Sequence, residues 1–275
     1  MRITLSRRSG LFLLGALGFG FVALPMLVLW IASGSTAWRW PEVWPTAWGG
    51  RAWAYVFAGP SDTWGALLTG LGIAVAVTVM NLAIAWPAAE ALARRTVPGK
   101  RWIEALLYAP IIVPGFVSLM GLHALFIRYG LADSVVGVIA VTLPLTLPYM
   151  LHPLTIGYAT LGTLWEDQGR MLGAGRYARL RWIVLPTLAP SIAIGCGFSL
   201  IVAFSQYLIP LIMGGGRVQT LPMVMVPFLS GGDMAIGAAY AILFSAVAAG
   251  LLWLSGATVR YVTSPVPTVP HRRWP

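Results

Sequence analysis

The chain has 275 residues, 58% of them hydrophobic and 9% charged, with a mean hydropathy of +0.81 and a formal charge of +10. A water-soluble domain carries charge at about a quarter of its positions, so lipid must be the solvent for much of this chain. The basic excess is scattered over separate loops rather than gathered on one surface, which argues against nucleic acid as a partner.

In chain order, stretches free of Asp, Glu, Lys and Arg run Ser9–Trp38, Thr63–Ala89, Ala105–Ile127, Ser134–Trp165, Trp182–Gly216 and Met234–Val259. Each exceeds the roughly 18–20 residues a helix needs to cross a bilayer. All are too long and too uniformly apolar for the alternating strands of a membrane barrel. The reading is an all-α membrane protein with six transmembrane helices near 11–32, 64–90, 103–126, 134–158, 183–211 and 235–256.

The first of these follows a basic start, but its apolar run Leu11–Ile31 is longer than a signal-peptide core, so it is expected as a retained span. After it, residues 33–63 hold Trp38, Trp40, Trp44, Trp48 and Trp53, with Trp64 just beyond. Indoles settle at the headgroup level, and Pro41, Pro45 and Pro60 discourage a long helix. The expectation is an interfacial loop with one short helical turn. The second span closes on Leu92-Ala93-Arg94-Arg95, then a Pro98-Gly99 turn and Lys100-Arg101. Spans three and four carry Pro110, Pro114, Pro144, Pro148 and Pro153, which kink helices and free carbonyls. The tail 263–275, rich in proline, reads as extended.

Positive charge fixes the orientation. With the N-terminus inside, the inner loops and termini receive all of the 18 Lys+Arg residues except Arg39, Arg51, Arg128 and Arg217. Both termini are therefore expected in the cytoplasm.

Isolated polar residues within the spans stay open between two readings. Asn81, His123 and His152 read first as partners in interhelical hydrogen bonds, and otherwise as solute contacts. Ser205, Gln206 and Tyr207 interrupt the fifth span and either line a solute path or bond a neighbouring helix. Glu90 and Glu104, beside the basic loop, are expected in salt bridges. Cys196 is a lone apolar-type residue, with no metal-ligand spacing around it. The serines and histidines lack a nucleophile elbow, and no paired carboxylates are present, so no catalytic residue is assigned. The phosphate-cradling G-x-x-x-x-G-K-[ST] loop is also missing. Any ATP chemistry would belong to another chain.

The most informative stretch is Gly162–Pro186, GTLWEDQGRMLGAGRYARLRWIVLP. Thr163 and Glu166 have the spacing of a capping box, Asp167 adds charge to the first turn, and Gly173 and Gly175 suit a left-handed helix stop. This loop resembles the cytoplasmic signature of type I ABC importer permeases: acidic-Ala-Ala, three residues, Gly, nine residues, Ile-x-Leu-Pro. Asp167, Gly173, Ile183, Leu185 and Pro186 match; Gln168 and Gly169 stand where the family has alanines. Leu92–Gly99 and Leu107–Pro114 also look like family features. The stretch Ser205–Pro222 is similar to the branch that imports thiamine, polyamines, sulfate and ferric iron.

The resemblance implies a single permease domain with its core at 64–256 and a coupling helix in loop 162–186, between spans four and five. Glu166, Asp167, Gly173, Ile183, Leu185 and Pro186 would transmit closure of a partner. The implied partners are ABC ATPase subunits carrying ATP and Mg, a second permease chain of the same or a homologous kind, and a periplasmic or lipid-anchored solute-binding protein. The implied location is the bacterial inner membrane. The competing function, a secondary transporter or channel, ordinarily places ion-coupling charges inside the membrane, and these six spans are almost free of them.

Overall fold

The computed structural model describes residues 7–38, 41–96, 98–112 and 115–263. The tail beyond Thr263, along with Arg2, Arg39, Trp40 and Pro114, lies outside the described residues. The chain is nearly all helix. In order come α1 (Arg7–Ser33), a small hairpin of β1 (Ser35–Ala37) and β2 (Ala47–Trp48), α2 (Arg51–Ala58), α3 (Thr63–Arg94), α4 (Lys100–Ile112) and α5 (Gly115–Arg128). They are followed by α6 (Val135–Leu161), α7 (Leu164–Met171), α8 (Arg176–Arg179), a π-helical turn Leu180–Val184, α9 (Leu185–Phe204), α10 (Leu208–Met213), α11 (Leu221–Leu229) and α12 (Met234–Thr263).

Four helices among the described residues are long and apolar enough to cross a membrane: Thr63–Arg94, Val135–Leu161, Arg176–Phe204 and Met234–Thr258. With 32 residues, α3 is about 48 Å long at 1.5 Å per residue, well over the hydrocarbon thickness. The first expected span falls in α1. The third falls over α4 and α5, whose bounds flank residues 113 and 114, outside the described residues.

The fifth span is shorter than expected. It stops at Phe204 instead of continuing to residue 211. Pro210 cannot bond the carbonyl of Gln206, and the side chains of Ser205 and Gln206 turn back onto the Val202 carbonyl at 3.1 and 3.0 Å. Residues 33–63, read as a loop with one helical turn, instead form the antiparallel β1–β2 hairpin and two turns of helix in α2.

The chain falls into two compact units, Met1–Gly65 with Leu221–Ala246 and Ala66–Thr220 with Val247–Pro275. In the first, aromatic rings run from Trp30 through Trp53 and Phe57 to Trp64 at centroid spacings of 6.0, 5.8 and 5.8 Å. The Tyr240 hydroxyl lies 2.7 Å from Ser61 Oγ and 2.8 Å from Thr63 Oγ1. Arg51 pairs with Asp233.

The second unit is organised by the crossing of α6 and α9. A Cβ at Gly157 would come within 2.5 Å of Ser191, and one at Gly195 within 2.8 Å of Met150, so small residues let the helices approach. Met150, Leu151, Leu154, Tyr158 and Leu188 are buried there with Ala85, Ala89 and Leu92 of α3.

Candidate functional site

The loop between α6 and α9 begins where Gly162 takes φ +62° and ends α6, its amide bonding the Tyr158 carbonyl at 3.0 Å. Thr163 then opens α7, but its side chain makes no capping bond. The expected capping box does not form, because Glu166 is engaged elsewhere. Its carboxylate accepts from the Arg94 guanidinium at 2.7 Å.

Arg94, the last residue of α3, is the hub of this end of the unit. It donates to the Gly162 carbonyl at 2.8 Å, stands 3.6 Å from Glu90, and lies over the Tyr158 ring at 4.9 Å. Its side chain is 12% exposed and that of Glu166 17%. Such a shielded, charge-assisted pair is strong where its geometry is satisfied. It clamps the start of α7 to the end of α3. The sequence reading counted Arg94 as a topology charge within the Leu92–Gly99 connection, without a partner. The separation of 72 positions between Arg94 and Glu166 carries no local signal that could have found the pair. Glu104 pairs with Lys100 at 3.8 Å, so both acidic residues beside the basic loop are in ion pairs.

The far end of α7 closes on Gly173 at φ +80°. The Gly173 amide bonds the Arg170 carbonyl at 3.0 Å and the Ala174 amide bonds the Gly169 carbonyl at 2.9 Å, the paired pattern of a Schellman stop. Gly175 differs from expectation: at φ −65° and ψ 168° it is extended, not left-handed.

The chain then folds back on itself. A Cβ at Gly169 would meet Ile183 Cδ1 at 3.0 Å, so the position where the family carries alanine is packed against the closing Ile-x-Leu-Pro segment. Ile183 lies in the π turn just before Pro186. Proline at 186 has no amide for the Trp182 carbonyl, and a widened turn accommodates that loss. Val184 is buried, while Ile183, Leu185 and Pro186 are half-buried. Gly173 thus sits at the apex of a loop whose two ends touch.

Asp167 is exposed and 3.8 Å from Arg170. Beside it the loop exposes Trp165, Met171, Leu172 and Tyr177. Met171 and Leu172 are 82% and 88% exposed.

The polar residues within the spans divide. Asn81 is wholly buried, donating to Thr146 Oγ1 at 2.6 Å and Ser199 Oγ at 3.3 Å, with Thr78 also on Ser199. This is an interhelical cluster joining α3, α6 and α9. Ser205, Gln206 and Tyr207 form the break after α9, about 9 Å along the axis from Ser199 at 1.5 Å per residue. His152 faces Tyr108 at 3.4 Å in an open cleft.

No family model matches the chain. Curated relatives do. An ABC transporter permease protein, ORF1, of Streptomyces antibioticus is 28% identical over 60% of this chain and 72% of its own length. The molybdate/tungstate transport permease WtpB of Thermococcus kodakarensis is 32% identical over 47% of this chain and 52% of its own. The chain is similar to ABC transporter permeases. A Salmonella typhi permease, PhnV, named for 2-aminoethylphosphonate transport, matches over more of it: 26% identity across 82% of this chain and 86% of PhnV. Matching covers about half the length of the archaeal relative and more of the bacterial ones. Together with the four long apolar helices, this makes the chain a multi-pass membrane protein.

Proposed function

We propose that this permease is the membrane subunit of a bacterial ATP-driven importer, with six spans, both termini in the cytoplasm of an inner-membrane protein, and loop 162–186 as the segment that receives the ATPase. The observation that carries this reading is the clamped, folded-back loop. Its base is tied by Arg94–Glu166 and its apex is free at Gly173, while Met171, Leu172 and Tyr177 stand uncovered. A rigid base with an exposed apolar tip is suited to passing a push from a docked partner into α3 and α9.

In this reading ATP and Mg belong to the ATPase, a second permease chain completes the path, and a solute-binding protein delivers the cargo. The relatives are named for different solutes, molybdate or tungstate and a phosphonate, so family membership alone assigns none.

The test uses Gly173→Pro and Asp167→Arg, with Thr46→Ala as a distant control. Proline removes an amide that bonds Arg170 and cannot adopt φ +80°. Arginine at 167 opposes the helix N-terminus by only about 0.3–1 kcal/mol, too little to unfold a helical bundle. Both variants are expected in the membrane at normal abundance, with ATPase co-purification and solute-stimulated hydrolysis reduced at least tenfold. Normal coupling in both would reduce the loop to a connector.

A further inference from the structure

A cleft of about 570 Å³ opens between α4, α6 and α9, with the Tyr108 hydroxyl and His152 Nδ1 3.4 Å apart in its wall. We propose that this cleft is where the permease itself holds its solute, and that the solute is an organic molecule of low net charge rather than an inorganic oxyanion. The proposal rests on the importer reading above and adds a binding site and a ligand class to it.

The position of His152 is the first argument. It stands nine residues before the end of α6, about 14 Å along the axis, and about 26 Å from the other end. That places it within the hydrocarbon thickness for a helix that spans a bilayer. Yet its side chain is exposed. An imidazole at that depth avoids lipid and faces water, a ligand or protein. The second argument is the neighbouring backbone. Pro148 and Pro153 line the same wall, and neither can donate to the carbonyl four residues earlier. Proline-freed carbonyls within a membrane are tolerated where a cavity or a neighbour serves them.

The wall chemistry selects the solute. Tyr149 and Phe198 add aromatic faces, Ile156 and Ile194 aliphatic ones, and Ser191 a further hydroxyl. Among the described residues lining the cleft, none is Asp, Glu, Lys or Arg. One turn along α4 from Tyr108 lies Glu104, paired with Lys100. A doubly charged oxyanion entering such a wall would lose its hydration without a cation to replace it. An organic body against the rings, with a hydrogen-bonding group between Tyr108 and His152, matches the walls, and the volume is within the usual range for small-molecule sites.

Two measurements test this. Single cysteines at Ile156 and Ile194, in a Cys196→Ser background, are treated in membrane vesicles with a water-soluble methanethiosulfonate and compared with Val79→Cys, an exposed apolar position on α3. The cleft positions are expected to react at least tenfold faster; equal rates would mean a lipid-filled or protein-filled cleft and overturn the proposal. The assembled transporter in proteoliposomes is then offered radiolabelled molybdate, tungstate, sulfate and phosphate, and separately a mixture of neutral and singly charged metabolites read by mass spectrometry. ATP-dependent accumulation of an organic solute is expected. His152→Ala and Tyr108→Phe should each raise its KM at least tenfold, with kcat less affected and Thr46→Ala unchanged. Accumulation of an oxyanion, or an unaltered KM in both variants, would overturn the site. If nothing accumulates with ATP, the importer reading itself falls and this proposal with it, an outcome separate from slow cysteine labelling.

Discussion

Arg94 shows how much one side chain can hold in place. It contacts the last turn of α6, the first turn of α7 and its own helix. Removing one partner of a shielded ion pair costs about 3–5 kcal/mol when the other charge is left uncompensated, and the residual exposure here argues for the lower end. Arg94→Ala is therefore expected to loosen the start of α7 by about 3 kcal/mol, seen as faster hydrogen exchange over 162–171 while the α6–α9 core stays protected. Arg94→Lys should restore only part of that protection, since an ammonium cannot fork between the Gly162 carbonyl and the Glu166 carboxylate as a guanidinium does. Equal exchange in wild type and Arg94→Ala would show the clamp to be incidental. Gly173 was legible in advance because a left-handed stop leaves a local mark, a glycine after a polar helical run. Arg94 was not, because its partners come from distant parts of the chain.

At the scale of elements, α12 begins at a carboxylate. Asp233 accepts from the Ala235 and Ile236 amides at 3.1 and 3.4 Å and pairs with Arg51 at the start of α2. Partial burial pushes its carboxyl up, but the Arg51 guanidinium and the two amides outweigh that and hold it below the ordinary value of 3.8. A lowered carboxylate stabilises the fold above its ordinary value and loses that contribution as pH falls through the folded value. The docking of α2 on α12 should accordingly be indifferent to pH between 5 and 8 and weaken only below about pH 4. Asp233→Asn should mimic the acid state at pH 7, at a cost of about 1 kcal/mol or less because Arg51 is half exposed. Hydrogen exchange over 51–58 measures both; a transition between pH 5 and 8 would contradict the pairing. The helices themselves were readable from charge-free length. The break after Phe204 was not, since an apolar composition does not record which prolines interrupt a ladder and which are absorbed, as Pro144, Pro148 and Pro153 are within α6.

For the whole molecule, the proposed orientation predicts that a cysteine at Thr46 is modified by an impermeant reagent from outside intact cells and one at Ala174 is not. The reverse pattern would place loop 162–186 beyond the reach of an ATPase and remove the basis of the proposed function. Composition and charge-free lengths determined that lipid is the solvent and helix the structure, because a backbone in hydrocarbon must satisfy its own hydrogen bonds. The spacing from Asp167 to Pro186 was likewise legible, being local chemistry of helix stops and turns. Tertiary structure alone decided that Asn81 joins three helices in a buried cluster, that His152 opens on a cleft with Tyr108, and that Arg94 clamps the start of loop 162–186. The physical reason is common to all three. A polar residue in an apolar span must find a partner, but the identity of that partner depends on which helix faces are brought together, and α6 meets α9 through glycines whose lack of a side chain matters only once the helices cross.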